Sequence, residues 1–238
     1  MLFRSGGFMS IRTRLGRLGI GWRLAVFACG IPSAFAVLGQ DADSRLDAFY
    51  RRYLETHFAQ EPLAATQLGE HRFDAELEDV SAKSRARWDA LTRETLRNLP
   101  KAVEYSQLSR DGQIDFEILK HDLETSIWLS SNTRPYEDDP RVYGAYISDS
   151  VYSLFVQSTL PKEENVRHAL SRMARIPAII DEAMRTLRHP PKSILETAIR
   201  QNRGAIAFYE GELVELIGES PQLGAVRAAA ALVAVKLK

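Results

Sequence analysis

Hydrophobic residues recur at three- and four-residue steps along most of the chain after residue 40, which is the period of an α-helix. The first run covers about 41–58, and charged residues occupy its opposite face. Later runs are at about 82–99, 110–130, 161–187 and 192–217, and an alanine-rich run fills 224–238. No segment pair alternates as a half-buried hairpin would. The pattern predicts an all-α fold, a multi-helix array of amphipathic helices with long irregular loops.

Residues with known helix-end preferences delimit the first of these elements. Pro62 suits the first position of a short helical turn, and Gly69 suits its C-terminal stop. Asp79 or Ser81 offers an N-cap for the next helix, which we expect to end before Pro100. Residues 62–81 are therefore predicted to connect two amphipathic helices.

The middle of the chain gives further expectations. Ile118 and Trp128 widen the apolar stripe of the helix that begins after Ser109, which suits a helix packed between two neighbours. Residues 131–147 have two prolines and no periodicity, so they are predicted to form a loop. Pro177 is expected to kink or restart its helix.

The N-terminus is typical of a secretory signal peptide. A basic stretch that ends at Arg23 precedes an apolar run over 24–31, and the small residues Ala34 and Ala36 then form a cleavage site. We expect a signal peptide over residues 1–36, a mature helical domain over 37–238, and a periplasmic or secreted location. The run is too short for a stable membrane anchor after cleavage. An uncleaved anchor and lipidation at Cys29 are the alternatives.

Charge and cysteine content narrow the function classes. The whole chain is formally neutral, but residues 1–40 hold five arginines and no acid, which leaves 26 basic against 31 acidic residues beyond them. This acidic balance argues against a nucleic-acid partner, which would need a basic face. Cys29 is the single cysteine, so the mature chain has no disulfide and depends on packing.

The sequence contains no recognisable catalytic constellation. The five histidines are never three or four residues apart, so no His-Glu-x-x-His zinc site is present, and there is no Gly-x-Ser-x-Gly elbow. His121 beside Asp122 fits a surface pair, and the acids at 137–139 fit a solvated turn better than a calcium loop. We assign no catalytic, metal-binding or cofactor-binding residue. A group of four tyrosines fits either a peptide or sugar groove or core packing, with packing favoured: Tyr136, Tyr143, Tyr146 and Tyr152.

Several motifs in this order resemble a known family. The first is Pro62 to Gly69 with Arg72-Phe73-Asp74 and Leu77-x-Asp79-x-Ser81, and the likeness continues through 111–123 and Arg172-Met173-x-x-Ile176-Pro177. Together they resemble the exported bacterial proteins of domain of unknown function 885, over roughly residues 41–235.

This resemblance implies a largely helical, zinc-metallopeptidase-like protein over twice as long. Its distinguishing His-Glu-x-x-Pro-Gly-His segment would bind zinc in the C-terminal half, with the glutamate acting on metal-bound water. The present sequence has no such segment, so no catalytic role carries over and no cofactor is expected in this chain; zinc and a peptide substrate are implied only for the full-length protein.

Two main hypotheses follow. The chain is the N-terminal helical scaffold of an exported zinc-metallopeptidase-like protein, the N-terminal half of a larger helical fold, and inactive alone. The uncapped helical pattern at 224–238 favours this hypothesis. The alternative is a free-standing periplasmic helical binding module without catalysis. A catalytic site that the sequence does not reveal is a third possibility.

Overall fold

The structure is a computed structural model that describes residues 34–238, and the predicted signal peptide lies almost wholly outside this part of the chain. The described residues are mostly helical and contain no strand, which confirms the all-α class. The longer helices are α1 (Ala34–Gln60), α3 (Ala82–Ala102), α4 (Arg110–Asn132), α8 (Lys162–Thr186), α9 (Lys192–Ala207) and α11 (Leu223–Leu237), and the shorter ones are α2 (Pro62–Gln67), α5 (Pro135–Asp138), α6 (Arg141–Gly144), α7 (Ser150–Val156) and α10 (Leu213–Ile217).

Helices α1, α3 and α4 share a hydrophobic core that we call the N-terminal cluster. Serine caps start two of these helices, because the Ser81 hydroxyl accepts from the Ser84 N–H (3.2 Å) and the Ser109 hydroxyl accepts from the Gly112 N–H (3.1 Å). Both caps agree with the sequence prediction. The buried members of this cluster are Ala42, Leu46, Leu99, Val103, Leu108, Phe116, Leu119 and Leu123.

A second, larger core, the C-terminal cluster, is built mainly from α6 to α11. Two π-helical turns belong to it, at Ala145–Asp149 and Phe208–Glu212, and the Tyr209 hydroxyl donates across the core to the Ile147 carbonyl. Fully buried side chains include Val151, Leu154, Val166, Ile176, Leu213, Val226 and Val233. From Phe35 to Lys238 the chain forms one compact unit.

The prediction of a loop over 131–147 is wrong. Residues 131–132 still belong to α4, and α5, α6 and a π-helical turn follow. The two prolines that suggested a loop instead start single helical turns: Pro135 is at the first position of α5, and Pro140 is the N-cap of α6. Turns this short have no readable periodicity.

The structure corrects two further expectations, the end of α3 before Pro100 and the position of α4 between two neighbours, and it excludes a restart of α8 at Pro177. Helix α3 passes through Pro100 to Ala102, and α8 continues through Pro177 without a restart. Near the end of α3 a proline removes only one hydrogen bond, and in α8 the buried face on both sides of Pro177 holds the helix against the core. Ile118 and Trp128 are 52% and 60% exposed, so α4 is not packed between two neighbours.

None of the described helices is long and apolar enough to cross a membrane.

Candidate functional site

The segment 62–81 folds into one helical turn followed by a tightly bonded extended stretch. Gly69 has φ +83° and ends α2 in a Schellman motif, because its N–H donates to Thr66 (3.1 Å) and the Glu70 N–H donates to Ala65 (2.9 Å). At the other end, the Glu78 carboxylate accepts from the Leu63 N–H at 2.7 Å. The predicted roles of Pro62 and Gly69 are therefore confirmed.

Arg172 of α8 holds this segment against the C-terminal cluster. Its fully buried guanidinium donates to the Thr66 hydroxyl at 2.6 Å, and Thr66 donates in turn to the Asp74 carboxylate at 2.5 Å. The same guanidinium donates to the backbone carbonyls of Glu76 (2.9 Å) and Ser150 (2.6 Å). Burial lowers the pKa of Arg172, and the buried Asp74 carboxylate, 4.0 Å away, raises it and compensates the charge. This network is structural: it joins α2, α7 and α8.

Thr159, His71 and Asp74 lie in the order of a hydroxyl–imidazole–carboxylate triad. The His71 ring bonds to Asp74 at 2.9 Å, and the Thr159 hydroxyl lies 3.4 Å from the other ring nitrogen. The nearby Leu160 N–H already donates to the Ser158 hydroxyl, so it is not available to stabilise an oxyanion. We therefore assign this arrangement a structural role, in which it ties Thr159 to the segment 62–81.

Two glutamates are associated with the N-terminal end of α2. Glu61 is the N-cap residue of α2 without a side-chain cap bond, and Glu78 accepts from Leu63 in the first turn. Burial raises the pKa of each carboxyl group to about 7, and the charge of Glu61 contributes to the shift at Glu78. The Glu61 side chain is still 40% exposed, so solvent reaches it and reduces the pKa shift of Glu61 more than that of Glu78.

Aromatic rings pack around His57, which lies beside Glu61. His57 lies 3.9 Å from Glu61, with its ring 5.6 Å from those of Tyr53 and Trp88, and its Nδ1 atom is buried without a hydrogen-bond partner. Burial raises the pKa of Tyr146, with smaller contributions from Tyr136 and from the charges of Glu78 and Glu61. The Tyr146 hydroxyl lies 3.3 Å from that of Tyr136.

An apolar groove of about 1080 Å³ lies on another side of the domain, between α6, α8, α9 and α11. Its lining includes Tyr143, Ile180, Leu195, Ile199 and Phe208. Its rim carries the exposed side chain of Met184. A concave, largely apolar surface of this size is suited to hold another chain segment or a ligand.

The residues singled out in the sequence take different places. Tyr143 and Tyr152 line the apolar groove, whereas Tyr136 and Tyr146 do not, so the four tyrosines do not form one groove. Asp139 pairs with Arg141 at 2.6 Å within the acidic turn. No group of three or more His, Cys, Asp or Glu residues within residues 34–238 could hold a metal ion. Glu78 was not singled out, because a lone glutamate in a non-periodic stretch carries no pattern.

Comparison with known proteins places this architecture in a family. Residues 62–237 match the family described as bacterial protein of unknown function (DUF885). The chain belongs to this family. No curated protein matches the chain. Among solved structures, the DUF885 chain is similar to a "putative lipoprotein of unknown function" from Shewanella oneidensis, with a TM-score of 0.70 and 22% identity. The match covers 80% of this chain and 34% of that chain, so this chain spans about a third of the length of its structural neighbour.

Proposed function

We propose that this helical domain is the N-terminal scaffold of a longer, exported, zinc-metallopeptidase-like protein and is inactive alone. The family membership, and the fact that the fold spans only about a third of the neighbouring structure, support a part of a larger protein. The lipoprotein description of that neighbour supports export. The chain contains no His-Glu-x-x-Pro-Gly-His segment, so a partner portion would have to supply the metal site.

The observation that carries the proposal is the apolar character of α11 on all sides. Arg227 and Lys236 are the charged residues of this helix. One face packs into the C-terminal cluster through Val226, Ala230 and Val233. The opposite face exposes Leu232 and Val235 at 69% and 71%. A helix that is hydrophobic all round is typically buried, so we infer that another part of the protein covers this outer face.

The test uses the double substitution L232E/V235E in α11. The partner is the C-terminal portion of a longer DUF885 protein, the portion that carries the zinc motif, added in trans. We expect the unmodified chain to bind this portion and the double variant to lose at least about tenfold in affinity, because two buried apolar contacts would become charged. The measurement is sedimentation velocity, with zinc-dependent peptide hydrolysis followed in the same mixtures.

The matched control is I114E/I118E, which places the same charges on exposed apolar positions of α4. Binding should be unchanged in this control. Equal loss in both double variants, or no binding by the unmodified chain, would contradict the proposed role of α11. Peptide hydrolysis by this chain alone would contradict the assignment of an inactive scaffold.

The second candidate is a free-standing periplasmic binding module without catalysis, and the apolar groove between α6, α8, α9 and α11 is the observation that favours it. This candidate predicts that the chain alone unfolds in one sharp, reversible thermal transition and remains a monomer. A scaffold with an uncovered α11 face is instead expected to self-associate. Thermal unfolding monitored by circular dichroism, together with sedimentation, separates the two candidates.

A further inference from the structure

We propose that the outer face of α4 binds a basic amphipathic helix that belongs to a separate protein chain. This face lies outside the surface that the scaffold role uses, so the proposal holds whether or not another portion covers α11. It rests on an exposed apolar stripe along α4, on the direction in which that stripe faces, and on the acidic residues along both of its edges.

The first step is the spacing of the exposed apolar residues of α4. Ile114, Ile118 and Trp128 are exposed, and the exposed His121 and Thr125 complete the row. These five positions follow one another at steps of four, three, four and three residues, which is the spacing of the contact positions in a coiled coil. At a rise of 1.5 Å per residue the row is about 21 Å long. We call it the α4 stripe, and its length suits a partner helix of about four turns.

The second step is the direction in which the α4 stripe faces. Phe116, Leu119 and Leu123 form the inner side of α4 and are buried in the N-terminal cluster. With 3.6 residues per turn, the α4 stripe is centred on the opposite side of the helix, away from the core that α4 shares with α1 and α3. Charged residues flank the stripe, so α4 does not depend on a cover in the way that α11 does, and a partner could bind it reversibly.

The third step is the charge beside the α4 stripe. The helical period places exposed acidic residues along both edges, with Asp111, Asp115 and Asp122 on one side and Glu117 and Glu124 on the other. In a pair of helices, the residues beside the apolar contact positions select the partner by its charge. A second copy of α4 would bring acidic residues against acidic ones, which disfavours self-pairing. Lysine or arginine beside the contact positions of the partner would instead complement both edges.

The surroundings of α4 leave this negative charge largely uncompensated. The helix contains five acidic and two basic residues. One of the basic residues, Lys120, is already paired with Glu124 at 3.7 Å. Helix α1 adds a further acid, because the Asp43 carboxylate accepts from the Ser109 N–H at 3.0 Å, beside the first turn of α4. The charges of a basic partner would therefore be attracted to this face, and binding should weaken as salt is added.

The experiment measures the binding of three labelled synthetic peptides to the full chain by fluorescence anisotropy. Each peptide has three heptads. The first has isoleucine and leucine at the contact positions and lysine beside them, the second has glutamate in place of lysine, and the third keeps lysine but has glutamine at the contact positions. We expect saturable binding of the first peptide that weakens with added salt. The other two should bind at least about tenfold more weakly, because each lacks one of the two complementary features.

Two variants of the chain locate the binding. I118S/W128S removes two apolar side chains of the α4 stripe and should weaken binding of the first peptide at least about tenfold, since exposed aromatic residues often dominate such contacts. D115N/D122N removes the charge of one edge, and it should weaken binding and reduce its dependence on salt. Both pairs of residues are exposed, so the variants should fold, and circular dichroism verifies this.

The matched control is L232S/V235S, which removes two exposed apolar side chains on the outer face of α11. Binding of the first peptide should be unchanged in this control. The proposal is overturned if the first peptide does not bind, or if the glutamate or glutamine peptide binds as tightly as it does. Equal affinity in I118S/W128S and in the α11 control would also overturn it, because the peptide would then bind elsewhere.

Discussion

The N-terminal and C-terminal clusters bury their side chains in different ways. Helices α3 and α4 are amphipathic and start at serine caps, and where they expose Ile118 or Trp128, charged or polar residues lie between. In the C-terminal cluster, α8 and α9 start after Pro161 and Pro191 without side-chain caps, and α11 is apolar on both faces. The N-terminal helices thus have a conventional polar outer surface, whereas α11 does not.

This difference indicates where the domain meets other structure. An amphipathic helix needs one apolar neighbour, and α3 and α4 have it in each other and in α1. A helix that is apolar all round needs neighbours on both sides, and α11 has them on one side only within residues 34–238. The groove beside α11 and its outer face therefore form the surface on which we expect a further portion to pack.

The largest expected effect is at the contact between the segment 62–81 and α8. Arg172→Met should cost about 3–5 kcal/mol of unfolding free energy, because it leaves the buried Asp74 carboxylate without its compensating positive charge and two backbone carbonyls without their donor. Urea unfolding measures this loss. The control is Arg175→Ala on the next turn of α8, where the exposed pair with Glu76 contributes at most about 1 kcal/mol. Equal losses in both variants would contradict the network described for Arg172.

The two clusters can be compared directly with one cavity in each. Leu123→Ala and Leu154→Ala each remove a side chain that is at most 1% exposed, and each should cost about 2–5 kcal/mol. Trp88 and Trp128 lie in α3 and α4, so their fluorescence follows the N-terminal cluster while circular dichroism follows all helices.

We expect both probes to report one transition in both variants, because residues 35–238 form one compact unit that contains both clusters. If Leu123→Ala shifts only the fluorescence transition, the two clusters unfold independently, which would contradict a single cooperative transition. Ile118→Ala, at a position 52% exposed, serves as the control and should stay within about 0.5 kcal/mol.

The third prediction concerns pH and Glu78. The pKa of this carboxyl group is about 7 in the folded chain, raised from its ordinary value of 4.5 by burial, so the folded state holds a proton that the unfolded state has lost. The contribution of Glu78 to the free energy of unfolding is therefore fully present below about pH 4.5 and is lost as the pH rises through about 7. The loss between these two pH values is roughly 3 kcal/mol. Urea unfolding between about pH 5 and pH 8 should show a smaller decline for Glu78→Gln. Parallel pH profiles would contradict the raised pKa.

The smallest expected effects distinguish how the helices of the two groups begin. Ser81→Ala and Ser109→Ala should each cost about 1 kcal/mol, because each removes the acceptor for an N-terminal backbone N–H. Ser193→Ala, near the uncapped start of α9, should stay within about 0.5 kcal/mol. Thermal unfolding is sensitive enough to rank the three. If Ser193→Ala costs as much unfolding free energy as Ser81→Ala, the difference between serine-capped and uncapped helix starts is contradicted.

Much of the fold could be predicted because helix patterns are local. Gly69, Ser81 and Ser109 end or start helices through bonds that span only a few residues, so each was identified from its neighbours. The turns over 135–149 were missed because four or five residues are too few to show a period. The exposed Ile118 and Trp128 were misassigned because an apolar stripe indicates a face, and the number of helices that cover it depends on the tertiary arrangement.

The sequence by itself determined that this protein is an array of amphipathic helices and that it resembles the DUF885 family. The tertiary structure decided what the motif residues do. Arg172 and Thr66 are 106 positions apart, and Glu78 reaches the Leu63 N–H, 15 positions away, only because α2 and the stretch after it fold back. Periodicity cannot identify such partners, since buried polar contacts are set by which segments pack together. The same packing left the outer face of α11 uncovered and one Glu78 oxygen without a partner.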